Sequence, residues 1–287
     1  MRPTSSHLFL CCCLLLGFGW SLPARANVLL TAKSVSMPGV RLQAVTVSLA
    51  EDAAGGLHLQ LHADRADVPA MGWRRLGLTL DGNLRRDDRL RWILDGNVQL
   101  AGAPGGALSD AHANIMLSQA ANTLLVDLVQ NKAHASTALP LDQPTHAQIK
   151  LDNLPAGWLQ GLLGTLWSGR TTGGRLDAEL ALDLRDNGVQ SSGQFTLDDV
   201  GFDTPSGTLA GQQLNGSGRF SLDTTNGPAR MDLDASLRGG ELLLGPLYAS
   251  LPDHPVQIGL RASAEKGALE LSRLRVTDAD ALQLEDR

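Results

Sequence analysis

The sequence predicts an all-β protein, a long curled antiparallel sheet with one aliphatic and one polar face, carrying a short amphipathic helix at about 155–167. Three observations predict it. First, aliphatic and polar residues alternate with a period of two. Leu176, Ala178, Leu180, Leu182 and Leu184 are set against Asp177, Glu179, Ala181 and Asp183, and Met231, Leu233, Ala235 and Leu237 against Asp232, Asp234 and Ser236. That period places the two sets on opposite sides of a strand. Second, such segments recur roughly every 8 to 15 residues with turn-forming residues between them, as consecutive hairpins do. Third, aromatic residues make up only 4% of the chain and Tyr248 is the sole tyrosine. An apolar face of Leu, Val, Ala and Ile suits a broad smooth surface better than a core of large rings.

The first 26 residues read as a secretory signal peptide. Arg2 gives a positive start, Leu8 to Trp20 is an apolar run, and Ala24-Arg25-Ala26 is a small-x-small cleavage site before Asn27. The run of 13 residues is shorter than the roughly 18 to 20 needed to span a bilayer. An uncleaved inner-membrane anchor is the alternative. Residues 27–152 then form the first part of the sheet. Val45, Val47 and Leu49 make one strand, and Ala53 to Gly56 a turn. Leu57, Leu59 and Leu61 follow, then Leu76, Leu78 and Leu80 running into Asp81-Gly82-Asn83, which reads as a turn. A similar Leu-Asp-Gly-Asn cluster, Leu94 to Asn97, comes next. Ala111 to Leu117 and Leu124 to Leu128 supply two further strands.

Residues 153–168 break the alternation. Trp158, Leu159, Leu162, Leu163, Leu166 and Trp167 form a helical stripe, with Asn153 as its cap, Pro155 in its first turn and Ser168-Gly169 as its stop. Glycine and glutamine fill the opposite side, so packing must hold this helix together. Residues 169–287 complete the same continuous domain, through Leu176 to Leu184, Phe195 and Leu197, Phe220 and Leu222, Met231 to Leu237, Val256 to Ala262 and Leu269 to Val276. The expected total is about 14 strands.

Composition narrows the chemistry. Cys11, Cys12 and Cys13 are the only cysteines and all precede the cleavage site. The mature chain therefore has no disulfide, thiolate nucleophile or Cys-ligated metal. Beyond residue 26 there are 22 basic against 30 acidic residues, a net charge of −8 with only four lysines. That balance argues against nucleic acid and predicts repulsion from anionic headgroups.

No catalytic or metal-binding constellation emerges, and no cofactor is implied. His58 and His62 resemble a zinc pair only on a helix; on a strand they stand roughly 13 Å apart. Asp87-Asp88 and Asp198-Asp199 read as turn residues rather than an acid/base pair. Asn215-Gly216-Ser217-Gly218 matches neither a nucleophile elbow nor a phosphate loop.

From Trp158 to Leu244 the order of elements is distinctive. A helix leads into Gly173-Gly174-Arg175-Leu176, then Gly193-Gln194-Phe195-Thr196-Leu197, Asp199-Val200-Gly201-Phe202, Leu209-Ala210-Gly211 and Leu214-Asn215-Gly216. This arrangement resembles the AsmA-like envelope proteins of Gram-negative bacteria, including the YdbH and TamB branches, over Val40 to Leu284. The resemblance implies a curled β-groove, a role in moving phospholipid between membranes, and no catalytic residue. Members are usually longer and anchored in the inner membrane, so the chain reads as a fragment or a short member.

The expectation is a periplasmic, non-enzymatic protein that shields acyl chains on its aliphatic face. Its partners would be phospholipid or another acyl lipid, with inner- or outer-membrane envelope proteins. Leu176, Leu180, Leu182, Leu184, Leu233 and Leu237 would form the wall, and Trp158, Leu162 and Leu166 a plug or gate. The rival readings are a structural β-protein of the envelope without lipid cargo, and an exported glycan-active or hydrolytic enzyme.

Overall fold

A computed structural model describes residues 27–286 apart from 38, 52–55, 162–167, 186, 226, 266–267 and 279–281. The signal-peptide segment, the turn from Ala53 and the helix residues Leu162, Leu163, Leu166 and Trp167 lie outside the described residues.

The fold is all-β. Its strands are β1 (Val28–Met37), β2 (Val40–Glu51), β3 (Leu57–Val68), β4 (Trp73–Arg86), β5 (Trp92–Ala101) and β6 (Ala111–Ser118). They continue as β7 (Thr123–Gln130), β8 (Ala133–Pro140), β9 (His146–Pro155), β10 (Arg170–Arg185), β11 (Gly188–Asp203) and β12 (Leu209–Asp223). The last are β13 (Ala229–Arg238), β14 (Glu241–Leu244), β15 (Leu247–Ser250), β16 (Val256–Glu265), β17 (Ala268–Asp278) and β18 (Leu282–Asp286).

From β1 to β13 each strand pairs antiparallel with the next. The ladder then forks. Asn215 to Asp223 of β12 pair with β13, while Leu209 to Gln212 pair with β14. The β14–β15 hairpin fills that lower corner, and β13 passes on to β16, β17 and β18. The sheet curls without closing into a barrel.

The strand count exceeds the expected 14, at 18 among the described residues. Strands such as β8, Ala-His-Ala-Ser-Thr-Ala-Leu-Pro, alternate too weakly to stand out in a sequence. The two Asp-Gly-Asn clusters are not turns. They lie in the middle of β4 and β5 and pair with each other, Asp81 with Asn97, Gly82 with Gly96, Asn83 with Asp95. A Cβ on Gly82 would stand 2.7 Å from the Asp95 carbonyl oxygen and 2.8 Å from the Gly96 Cα. Glycine is there because two backbones approach closely, which a strand glycine often signals.

Curling has two local causes. One is a line of bulges along the margin where β4, β9, β11 and β12 begin or end, marked by left-handed backbone at Arg75, Asn153, Asp199 and Gln213. An extra residue in one strand bends it and adds twist, so bulges in successive strands fold that margin inward. Asp198-Asp199 therefore belongs to a bulge inside β11 rather than to a turn. Asp87-Asp88 does lie in the β4–β5 turn. The second cause is packing of the first turn on a distant strand. A Cβ on Gly39, between β1 and β2, would stand 2.9 Å from Leu184 Cδ1 of β10.

At three bulges a side chain of the adjacent strand holds the displaced N–H. Asp67 Oδ1 accepts from the Arg75 amide at 2.7 Å, Asp177 Oδ1 from Asn153 at 2.5 Å, and Asn215 Oδ1 from Asp199 at 3.0 Å. An unpaired backbone donor is costly to bury, which gives these residues a structural role. Asn153 is thus a bulge residue in β9 and not a helix cap. The residue before the first helical turn is Pro155, with no side-chain cap.

The expected helix begins as a 3-10 turn, Ala156–Leu159, followed by helical Gln160 and Gly161. Among the described residues it has no three-turn α-helical stripe. Trp158 is nonetheless 6% exposed and packs with Leu42, Val45, Ala63, Ala66, Trp73, Leu76 and Leu154. Gly105 between β5 and β6 meets the backbone of Gly157, and Gly161 meets Met71 and Trp73. Gln160 ties the segment to the start of β10, donating to the Gly169 carbonyl at 2.8 Å and accepting from the Thr171 amide at 2.7 Å. The segment therefore caps one end of the curled N-terminal half. No described helix is long and apolar enough to cross a membrane.

Candidate lipid-facing surface

Strand pairing carries the alternation across the sheet. Starting at β1, one register row runs Val28, Leu49, Leu59, Gly82, Gly96, Ala113, Leu128, Ala135, Leu151, Ala178, Phe195, Gly218, Ala235, Ile258, Val276 and Leu284. Every position is aliphatic, aromatic or glycine. The row beside it runs Leu57, Leu84, Leu94, Ile115, Val126, Thr137, Ile149, Leu180, Gly193, Phe220, Leu233, Leu260 and Leu274. Thr137 is the one polar member between Leu57 and Leu274, its hydroxyl buried without a hydrogen-bond partner among the described residues, and the row ends on charged Glu51 and Asp286.

The opposite face carries ion pairs, beside an apolar run of Ile93, Met116, Leu125 and Ala138. Gln60, Asp81, Asn97 and His112 follow one another in register, and Val129 is followed by His134 and Asp152. Each of the six described histidines lies against an aspartate, as in His58–Asp81, His112–Asp95 and His146–Asp183. His58 and His62 pair with Asp81 and Asp64 and do not converge on one point. His134 lies between Asp127 at 2.8 Å and Asp152 at 3.3 Å, and those carboxylates raise its pKa above the ordinary imidazole value, Asp127 foremost. Lys150, 3.1 Å from Asp152, holds that carboxyl below its usual range. No group of three or more His, Asp or Glu among the described residues is arranged to hold a metal.

The expected wall residues share the apolar face. Leu176, Leu180, Leu182 and Leu184 line β10, and Leu233 and Leu237 line β13. Leu180 and Leu233 stand in one row with Gly193 and Phe220 between them. Exposure divides the set. Leu176 and Leu237 are buried at 8% and 9%, Leu237 within a cluster containing Leu214, Ala235 and Leu242. Leu180, Leu182, Leu184 and Leu233 are half-buried. Of the three residues expected to form a plug or gate, Trp158 is the one among the described residues, and it is buried in the N-terminal core.

Phe195 and Phe220 join the two halves of this wall, their ring centroids 6.4 Å apart. Both alternate correctly in the sequence, but only strand pairing shows that they bridge Leu180 and Leu233. Asp177, which the alternation marks as a plain outer-face residue, also holds the Asn153 bulge. Comparison with protein-family models, curated proteins and solved structures finds no match to this chain.

Proposed function

We propose that this protein is a non-enzymatic, periplasmic envelope protein that shields lipid acyl chains on the apolar face of its curled sheet, in intermembrane phospholipid transport or envelope assembly. The observation that carries this reading is the uninterrupted apolar register beside half-buried Leu180, Leu182, Leu184 and Leu233. An acyl chain laid there leaves water at about 0.8 kcal/mol per methylene, while its headgroup stays at the open side. Transfer along such a surface requires continuity of apolar contact and no reacting group. The AsmA-like resemblance of the sequence agrees with it.

The test is mass spectrometry of lipid co-purifying with the mature protein, beside the Leu180→Asp/Leu233→Asp variant. Phospholipid bound to the wild type and lost from the folded variant supports the reading. A fully folded wild type that neither co-purifies with lipid nor takes it up on incubation overturns it, in favour of a structural β-protein.

A further inference from the structure

The net charge conceals a basic tip. Between β4 and β5 the chain reads Arg85-Arg86-Asp87-Asp88-Arg89-Leu90-Arg91-Trp92, four arginines within eight residues. The last pairing of β4 with β3 is Leu84 with Leu57, but the hairpin continues to Arg86 paired with Trp92 and then turns. The tip therefore extends past the Leu84–Leu57 pair on its β3 side, while on its other side Trp92 is still paired with Leu117 of β6.

Asp87 organises that turn. Its Oδ1 accepts from the Arg89 and Arg91 amides at 3.0 and 2.9 Å, and Oδ2 accepts from Arg91 Nε at 2.7 Å. Asp87 and Arg91 thus neutralise each other. Arg85, Arg86 and Arg89 are exposed and make no ion pair among the described residues, which leaves Asp88 as the tip's other charge. The Arg86 guanidinium lies 5.6 Å from the centroid of the Trp92 ring.

Leu90 is the residue that folding does not explain. Its φ is +60°, a backbone that suits glycine or asparagine, and its side chain is 64% exposed. Both features are unfavourable for the free protein. Trp92 lies on the apolar face, in register with Leu117, Leu124 and Leu139, so the tip stands at one mouth of that face.

We propose that the β4–β5 tip is a membrane-interface anchor for an anionic phospholipid bilayer, with Arg85, Arg86 and Arg89 on headgroup phosphates and Leu90 and Trp92 in the interfacial layer. Charge complementarity selects this partner, because three guanidiniums without an ion pair among the described residues flank one exposed leucine on an otherwise acidic chain. Tryptophan and arginine both suit the headgroup level. The purpose, delivering the mouth of the apolar face to a bilayer, rests on the lipid-shielding reading; the docking itself does not.

The experiment is flotation of the mature protein with phosphatidylcholine vesicles, alone or with about one-third phosphatidylglycerol, at low and high salt. Binding is expected on the anionic vesicles and should weaken with salt. Arg85→Gln/Arg89→Gln should reduce it roughly 25-fold, about fivefold for each arginine. Leu90→Asn, which puts a residue at ease in the left-handed backbone, should keep the fold and reduce binding about fivefold. Asp142→Asn, in the β8–β9 turn, should leave it unchanged.

Equal binding to both kinds of vesicle, no binding, or binding unaltered in the tip variants would each overturn the proposal. So would heparin binding of equal strength that ignores Leu90→Asn, since it would mark a general anion patch. The Leu180→Asp/Leu233→Asp variant separates the two readings. It should float like the wild type while carrying no lipid. A lipid-free wild type that still docks removes only the shielding role, and a lipid-loaded wild type that does not dock removes only the anchor.

Discussion

Replacing Gly82 with alanine would place a methyl group 2.7 Å from the Asp95 carbonyl oxygen and 2.8 Å from the Gly96 Cα. Ordinary van der Waals contact begins near 3.4 Å, so two paired backbones must separate by about 0.6 Å or more. Overpacking of this kind costs about 1–3 kcal/mol. The stiffer unfolded chain returns about 0.4–1 kcal/mol, which leaves a net loss of about 1–2 kcal/mol. With a urea slope of about 2–3 kcal/mol/M for a chain of this size, the unfolding midpoint should fall by roughly 0.5 M. Gly173→Ala is the matched control. It lies in β10, a Cβ there meets no atom within 4 Å, and its midpoint should hold or rise. Equal midpoints for the two variants would refute the close Gly82–Gly96 pairing. A second measurement tests the register itself. Asp81→Cys/Asn97→Cys, directly opposite across the ladder, should form a disulfide between the two new thiols, since residues 27–287 contain no other cysteine. If mapping finds both thiols free under oxidising conditions, the two Asp-Gly-Asn segments do not pair.

Trp158→Ala removes a 6% exposed ring from the N-terminal core and should cost about 3–5 kcal/mol, read by urea unfolding, whereas Tyr248→Ala, at 63% exposure, should cost far less. A loss below about 1 kcal/mol at Trp158 would mean that the segment does not plug the curled sheet. Asp67→Ala strips the acceptor from the Arg75 amide and should destabilise by about 1–3 kcal/mol, while Asp67→Asn should recover part of that loss because it keeps an oxygen there; an unchanged midpoint for Asp67→Ala would dismiss the clamp. His134 has a raised pKa in the folded state, so its contribution is fully present below the unfolded imidazole value near 6.5 and is lost as pH rises through the folded value. The stability difference between wild type and His134→Gln should therefore be larger at pH 5.5 than at pH 8, by under about 1 kcal/mol because the pair is partly solvated. A difference that stays flat or grows with pH would reverse the sign of this argument.

Much of the apolar surface was legible in the sequence because alternation is local. A period of two fixes which side chains share a face of a strand whatever its partners are, and Leu176 to Leu184 and Met231 to Leu237 fall on that face as expected. Bulges were less legible. The φ of Asn153 or Asp199 depends on a side chain in the neighbouring strand, Asp177 or Asn215, and nothing within either segment announces it. The Asp-Gly-Asn clusters misled for a related reason. Their composition favours a turn, but each contributes a glycine to the other's close approach, a fact about two segments at once. Net charge is silent on position, since a chain-wide sum does not show that Arg85, Arg86 and Arg89 cluster around Leu90.

By itself, then, the sequence determined the all-β class, the two faces and the identity of the residues on each, because these follow from backbone geometry one strand at a time. It also determined that residues 27–287, which contain no cysteine, are held by sheet hydrogen bonds and aliphatic packing and not by disulfides among themselves. Tertiary structure decided the rest. It set the order of pairing, the fork at β12, the bulge line that curls the sheet, and the seat of Trp158 among Leu42, Val45 and Leu154. It also decided that Leu176 and Leu237 are covered while Leu180 and Leu233 stay half-buried, although all four look alike in the alternation. The physical reason is that burial depends on what the curl brings across a face, and curl is summed over bulges and pairings among strands far apart in the chain.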